Sequence, residues 1–170
     1  MADRISLVSN EGLAFETSIQ ITQLSGFIAR IVQDYGNEEI QLIQVNSIYL
    51  RKIIDYCEHH SFATPEPLCK PIKFEEIEKN VNDPWDSSFI KQFSEEQLLE
   101  LILVANYLDM KSLLELCNVV IATMFKNKSV EYFKQRYNIQ QDLTPQVEEQ
   151  LKKEYPWALQ VEKDDNEFWQ

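Results

Sequence analysis

Glycine is scarce in this chain, three residues in 170, and the shortage removes a class of chemistry. A phosphate cradle needs glycines so that bare backbone can approach the ligand, and neither a G-x-G-x-x-G fingerprint nor a P-loop occurs. Histidine is scarcer still, with two, which leaves little for a histidine-built metal centre or a nucleophile–histidine pair. Positive charge is short as well: 16 Lys and Arg stand against 28 Asp and Glu, a formal net charge of −12. A nucleic-acid surface needs a basic stripe for counterion release, and local positive clusters such as Lys126 to Lys128 hold only two lysines. Acidity of this degree suits solubility or a basic protein partner. The cysteines Cys57, Cys69 and Cys117 are odd in number and scattered, which fits a reducing cytosolic or nuclear compartment rather than a disulfide framework. No apolar run reaches the ~18 residues that span a bilayer, and Met1-Ala2-Asp3-Arg4 starts no apolar h-region. Neither a membrane segment nor a secretory leader is expected.

What the chain does have is apolar mass, 44% of its residues, enough for a core and too much for wholesale disorder. Two β-prone runs, Ile5 to Val8 and Leu13 to Thr17, flank the turn signal Asn10-Glu11-Gly12 and read as a hairpin. Ile21, Leu24, Phe27, Ile28, Ile31 and Val32 recur at helical spacing up to a stop at Gly36-Asn37. Ile40 to Val45 is a third strand candidate. From Ser47 the apolar positions Ile48, Leu50, Ile53, Ile54 and Cys57 return to helical period and end near His59-His60. Pro65, Pro67, Pro71 and Pro84 break up the stretch from Ser61 to Pro84, so a long surface excursion with little to hold it is expected. Asp86 or Ser87 is expected to cap a short segment containing Phe89.

Two consecutive helices follow between Ser94 and Phe125, and both are apolar on more than one face. Ser94 and Gln97 form a capping box, and Glu95 and Glu96 suit the positive end of the helix dipole. At about 100° per residue, Leu98, Leu101, Ile102, Ala105 and Leu108 make one stripe. Leu99, Leu103, Asn106, Tyr107 and Met110 make another, turned away from the first. Ser112 with Glu115 reads as a second capping box. The next helix carries Leu113, Leu116, Cys117, Val120 and Met124 on one stripe and Leu114, Ile121, Ala122 and Phe125 on a neighbouring one. One stripe can face a core; the second needs later helices of this chain or another protein. Asn106 favours an interface, because an unpaired amide in a dry core costs roughly 1–3 kcal/mol. Beyond Asn127, Ser129 can cap a short helix with Tyr132 and Phe133. Thr144-Pro145 then opens a polar helix through Glu154, whose only apolar residues are Val147 and Leu151 ahead of Tyr155.

Catalytic chemistry finds no foothold. Cys57 and His59 lie two apart on one helix and point about 200° from each other, and no third histidine exists to complete a site. Carboxylate pairs such as Glu75-Glu76 and Asp164-Asp165 fall in loop-like or tail sequence. No catalytic residue, metal ligand or cofactor is expected.

From Ile5 to Trp157 the chain resembles the Skp adaptors of SCF-type ubiquitin ligases, built on a BTB/POZ fold. The resemblance is carried by Leu7-x-Ser9-x-Glu11-Gly12-x-x-Phe15-Glu16, by Ile21 with Ser25 and Ile28, and by Val45-Asn46 leading to Leu50, Lys52, Ile54 and Cys57-x-His59-His60. It continues through Pro84-Trp85-Asp86-x-x-Phe89-x-Lys91 and Glu100-Leu101-Ile102-Leu103-x-Ala105-Asn106-Tyr107-Leu108-Asp109. It closes with Tyr137-Asn138-Ile139, Asp142-x-Thr144 and Lys153-Glu154-x-x-Trp157. Elongin C shares the BTB part alone, so the match past Asn127 selects the Skp-like branch. Departures mark a divergent member: Asn127-Lys128-Ser129-Val130-Glu131-Tyr132 stands where the family has Gly-Lys-Thr-Pro-Glu-Glu, and Trp157-Ala158 replaces its Trp-Cys.

The resemblance implies an α/β (α+β) chain with a small sheet and packed helices. Residues 1–126 would form the BTB/POZ-like cullin-binding domain, with 61–84 as a flexible loop. Residues 127–170 would form a helical extension that binds F-box proteins. Cullin binding would fall to Leu99, Leu103, Asn106, Tyr107 and Met110, and F-box binding to Ile121, Ala122, Phe125, Tyr137, Ile139, Leu143 and Trp157. The implied partners are an F-box protein and a cullin, with no nucleic acid, membrane or small-molecule substrate, in the cytoplasm and nucleus. An alternative from the same family is an F-box-binding structural subunit outside any ligase, for example in a kinetochore assembly.

Overall fold

The computed structural model describes residues 4–36, 39–68, 70–72, 74–139 and 144–156. It divides into two compact units, residues 1–126 and residues 127–170.

The first unit begins with the hairpin. Strand β1 (Arg4–Ser9) pairs antiparallel with β2 (Ala14–Ser18), Leu7 opposite Phe15. The turn between them is permitted by Gly12, whose φ of 79° an L side chain resists. Strand β3 (Ile40–Leu42), shorter than the run to Val45 suggests, joins the other side of β1 in parallel, giving the order β2-β1-β3. The helical pattern between β2 and β3 is divided. Ile19–Gln23 is a 3-10 turn, and α1 runs over Gly26–Tyr35 from an N-cap at Ser25. Helix α2 (Ser47–His59) is capped by Asn46, and its first free amide, at Ser47, donates to the Glu11 carboxylate at 2.7 Å. That hydrogen bond at the positive end of a helix holds the Glu11 carboxyl below its ordinary pKa and ties the hairpin tip to α2.

Residues 61–84 are anchored more firmly than their prolines suggest. Ile77 is buried, and Leu68, Ile72 and Val81 pack against the core. Buried Asn80 donates to the carbonyls of Phe74 (2.8 Å) and Glu76 (2.9 Å). Helix α3 (Pro84–Ile90) starts ahead of the expected caps, its N-cap three residues before Asp86. Asp83 caps it by accepting from the Trp85 amide at 2.8 Å, with Pro84 in the first turn, where its missing N–H matters least. Helix α4 (Glu95–Tyr107) opens on the Ser94/Gln97 capping box. Helix α5 (Lys111–Phe125) starts at Met110 with no side-chain cap; the Ser112 hydroxyl is buried instead.

Leu7, Ile28, Leu42, Leu50, Ile53, Cys57, Phe89, Leu101, Leu108, Leu113 and Cys117 meet in one continuous core within this unit. The second unit holds α6 (Val130–Arg136), capped by Ser129, and α7 (Pro145–Glu154), capped by Thr144. Neither helix has a buried residue.

Candidate functional site

Helix α4 separates its two stripes as its periodicity demands. Leu98, Leu101, Val104 and Ala105 are buried, with Leu108 just beyond the helix. On the opposite side Leu99 is 48% and Leu103 69% exposed, and Asn106 is exposed too. These three lie at i, i+4 and i+7, one row along the helix surface. Glu96 and Glu100 are exposed beside them.

Tyr107 is half-buried. Its ring sits 4.7 Å from that of Phe27 on α1, and burial raises its hydroxyl pKa. Met110, grouped with this stripe by its position on the wheel, is fully buried. The wheel stops applying at the end of the helix. Asp109 takes a φ of 52°, its amide reaches the Asn106 carbonyl at 3.1 Å, and the Met110 amide reaches that of Ala105 at 2.9 Å. This is a Schellman closure, in which the residue after the left-handed one folds back onto the last turn. Met110 therefore belongs to the core, and the outward row ends at Asn106 with Tyr107 at its edge.

The start of α1 abuts this end of α4. The amides of Gly26 and Phe27 each donate at 3.2 Å to the carbonyls of Asp109 and Leu108, and the Ser25 hydroxyl donates to the Leu108 carbonyl at 2.6 Å. Unfilled carbonyls at one helix terminus thus meet unfilled amides at another. Gly26 is required by the approach: a Cβ there would lie 2.2 Å from the Asp109 Oδ2. Arg30 on α1 pairs with Asp109 at 3.6 Å. The position of Asn106 and Tyr107 is fixed from both sides of the chain, which no local pattern announces.

The second set of expected residues is spread over both units. On α5, Ala122 is exposed, while Ile121 and Phe125 are half-buried and gather near its C-terminal end. In the second unit Tyr137 caps α6, and Ile139 follows Asn138, whose φ is 51°. The Ile139 amide reaches the Lys134 carbonyl at 2.9 Å, a second closure of the kind seen after α4. Tyr137 and Ile139 are 41% and 49% exposed. Leu143 and Trp157 lie outside the described residues.

At the junction of α2 and α3 an aromatic cluster joins Tyr56, His59, His60, Trp85 and Phe89. His60 Nε2 is 2.9 Å from Asp86, both side chains largely buried, and His59 Nε2 is 2.7 Å from Asp83. Burial raises the Asp86 pKa, while the His59 hydrogen bond lowers that of Asp83. Neither histidine–carboxylate pairing is legible in the sequence, because the partners lie 24 and 26 residues apart.

Two family descriptions match the chain: "Skp1 family, tetramerisation domain" over residues 3–61 and "Skp1 family, dimerisation domain" over residues 111–158. The chain is 37% identical to "S-phase kinase-associated protein 1 homolog" of Tetrahymena thermophila, a match covering 91% of this chain and 93% of the relative. It is 35% identical to "E3 ubiquitin ligase complex SCF subunit sconC" of Arthroderma benhamiae, over 92% of this chain and 95% of that one. The subunit of the same name from Aspergillus clavatus is 34% identical over 93% and 99%.

Proposed function

The chain belongs to the Skp1 family, and from that premise we propose that it is a non-catalytic adaptor joining an F-box substrate receptor to a cullin scaffold in an SCF-type ubiquitin ligase. Its relatives named as SCF ligase subunits match over nearly their whole length, which supports the role for the chain as a whole. The observation that carries the cullin half is the outward row on α4. Leu99 and Leu103 stand open to solvent on a helix whose other face is core, with Asn106 to give the patch polar register. Glu96 and Glu100 border this row and favour a basic partner surface.

The F-box half rests on Ile121, Ala122 and Phe125 of α5 and on Tyr137 and Ile139 of the second unit. Leu143 and Trp157 are included on the family resemblance alone. The adaptor itself performs no reaction. It holds the receptor and the scaffold so that chemistry done elsewhere reaches the substrate.

Leu103→Lys with Asn106→Lys tests the assignment while sparing Tyr107, whose ring packs on Phe27. In a pull-down with a cullin N-terminal region and an F-box protein, cullin capture should fall at least tenfold, since charge forced into a desolvated contact costs several kcal/mol. F-box capture and the thermal midpoint should stay as in the parent chain. Parallel loss of both partners, or a collapsed melting curve, would place this row in the core instead.

A further inference from the structure

We propose that the end of α2 and the start of α3 form a binding site for one divalent transition-metal ion of the zinc class, held by His59, His60 and Asp83. The ligand atoms these residues offer all lie within 4.8 Å of one another. A tetrahedral ion at ~2.0–2.2 Å from each ligand sets ligand atoms about 3.4 Å apart, between this limit and the 2.7 Å that now separates His59 Nε2 from Asp83 Oδ2. Opening that contact by about 0.7 Å, and drawing the widest pair together by up to about 1.4 Å, gives the tetrahedral spacing. The His59 ring then carries its proton on the other nitrogen and offers the lone pair of the first.

Each ligand is aimed by a neighbour. Asp83 Oδ1 accepts from the Trp85 amide at 2.8 Å, which fixes the carboxylate and leaves Oδ2 turned to His59. The His59 ring stacks on Trp85 with centroids 4.0 Å apart and 6° between planes. Asp86 holds His60 through Nε2 at 2.9 Å, and Tyr56 meets its ring at 4.6 Å. Supports of this kind are what tune metal-bound histidines. The site also lies at the carbonyl end of α2, where the helix dipole favours positive charge. Two imidazoles and one carboxylate suit zinc, nickel or copper, whereas calcium and magnesium prefer an all-oxygen shell. Three protein ligands leave a fourth position for water. Bound there, the ion would link α2 to α3 across the irregular residues between them.

Calorimetric titration of the full chain with zinc chloride at neutral pH tests the site. One ion per chain should bind saturably, and zinc should raise the thermal midpoint. His59→Gln and Asp83→Asn should each weaken binding at least about tenfold and abolish the thermal shift. Both spare the fold: His59 is at the surface, and asparagine caps a helix as well as aspartate does. Cys69→Ser should bind zinc like the parent. The proposal is overturned by the absence of saturable binding at submillimolar zinc, by binding that ignores both variants, or by binding that disappears with Cys69.

Discussion

Cys57 and Cys117 are enclosed by the core of the first unit, and desolvation of a thiolate there pushes both pKa values up to about 12. At pH 8 that leaves about one thiolate in ten thousand, and the thiolate is the reacting species. Mass-spectrometric mapping after iodoacetamide treatment of the native chain should therefore find both positions unmodified, and find both modified once denaturant is present. Labelling of either in the native state would mean that the core opens there. The helical period was enough to mark these two as packing residues. It was not enough for Met110, because one residue of left-handed backbone at Asp109 resets the direction of every side chain after it. Val104 belongs to neither α4 stripe and is core; it lies near the boundary between them, where neighbouring elements decide the outcome.

At the level of elements, the shortage of glycine has a visible price in backbone. Ser61, Asp109 and Asn138 each adopt positive φ just past a helix, at a position that glycine commonly fills. The junction of α4 with α1 shows how tightly such a closure can be built. Gly26→Ala sets a new Cβ 2.2 Å from Asp109 Oδ2 and 3.3 Å from its Cβ, and displaces the carboxylate from Arg30. Alanine has the better helix propensity by ~1 kcal/mol, so a net loss would isolate the clash. Denaturant unfolding should show Gly26→Ala less stable by about 1–2 kcal/mol. Adding Asp109→Gly, which removes the obstructing side chain and suits the positive φ, should recover most of it. No loss, or a loss that Asp109→Gly leaves untouched, would show that the junction is looser than this. Local signals had marked the capping box of α4 and the caps of α6 and α7, since each is written within a few residues. The contacts of Ser25 with Leu108 and of Asp83 with His59 span 83 and 24 residues, and a period cannot carry that information.

For the whole molecule, the uneven distribution of core decides what can be cut away. The continuous hydrophobic cluster lies within residues 1–126, whereas α6 and α7 contain no buried residue, and Val147, Leu151 and Tyr155 are exposed. A chain ending at Lys126 should keep the parent's thermal midpoint to within a few degrees. It should still bind the cullin region and lose the F-box protein by at least tenfold, as measured by calorimetry. A large drop in the midpoint, or undiminished F-box binding, would contradict this division. In the sequence, periodic apolar stripes give way to polar helices beyond Asn127. The two sides of α4 also have a consequence for how such a chain can change over generations. Replacements at buried Leu101 or Ala105 are screened by folding, while those at exposed Leu99, Leu103 or Asn106 would, under the proposed cullin assignment, be screened only by the partner. A duplicated copy can therefore drift along the outward row, losing one acquaintance or gaining another, and remain a well-folded protein throughout.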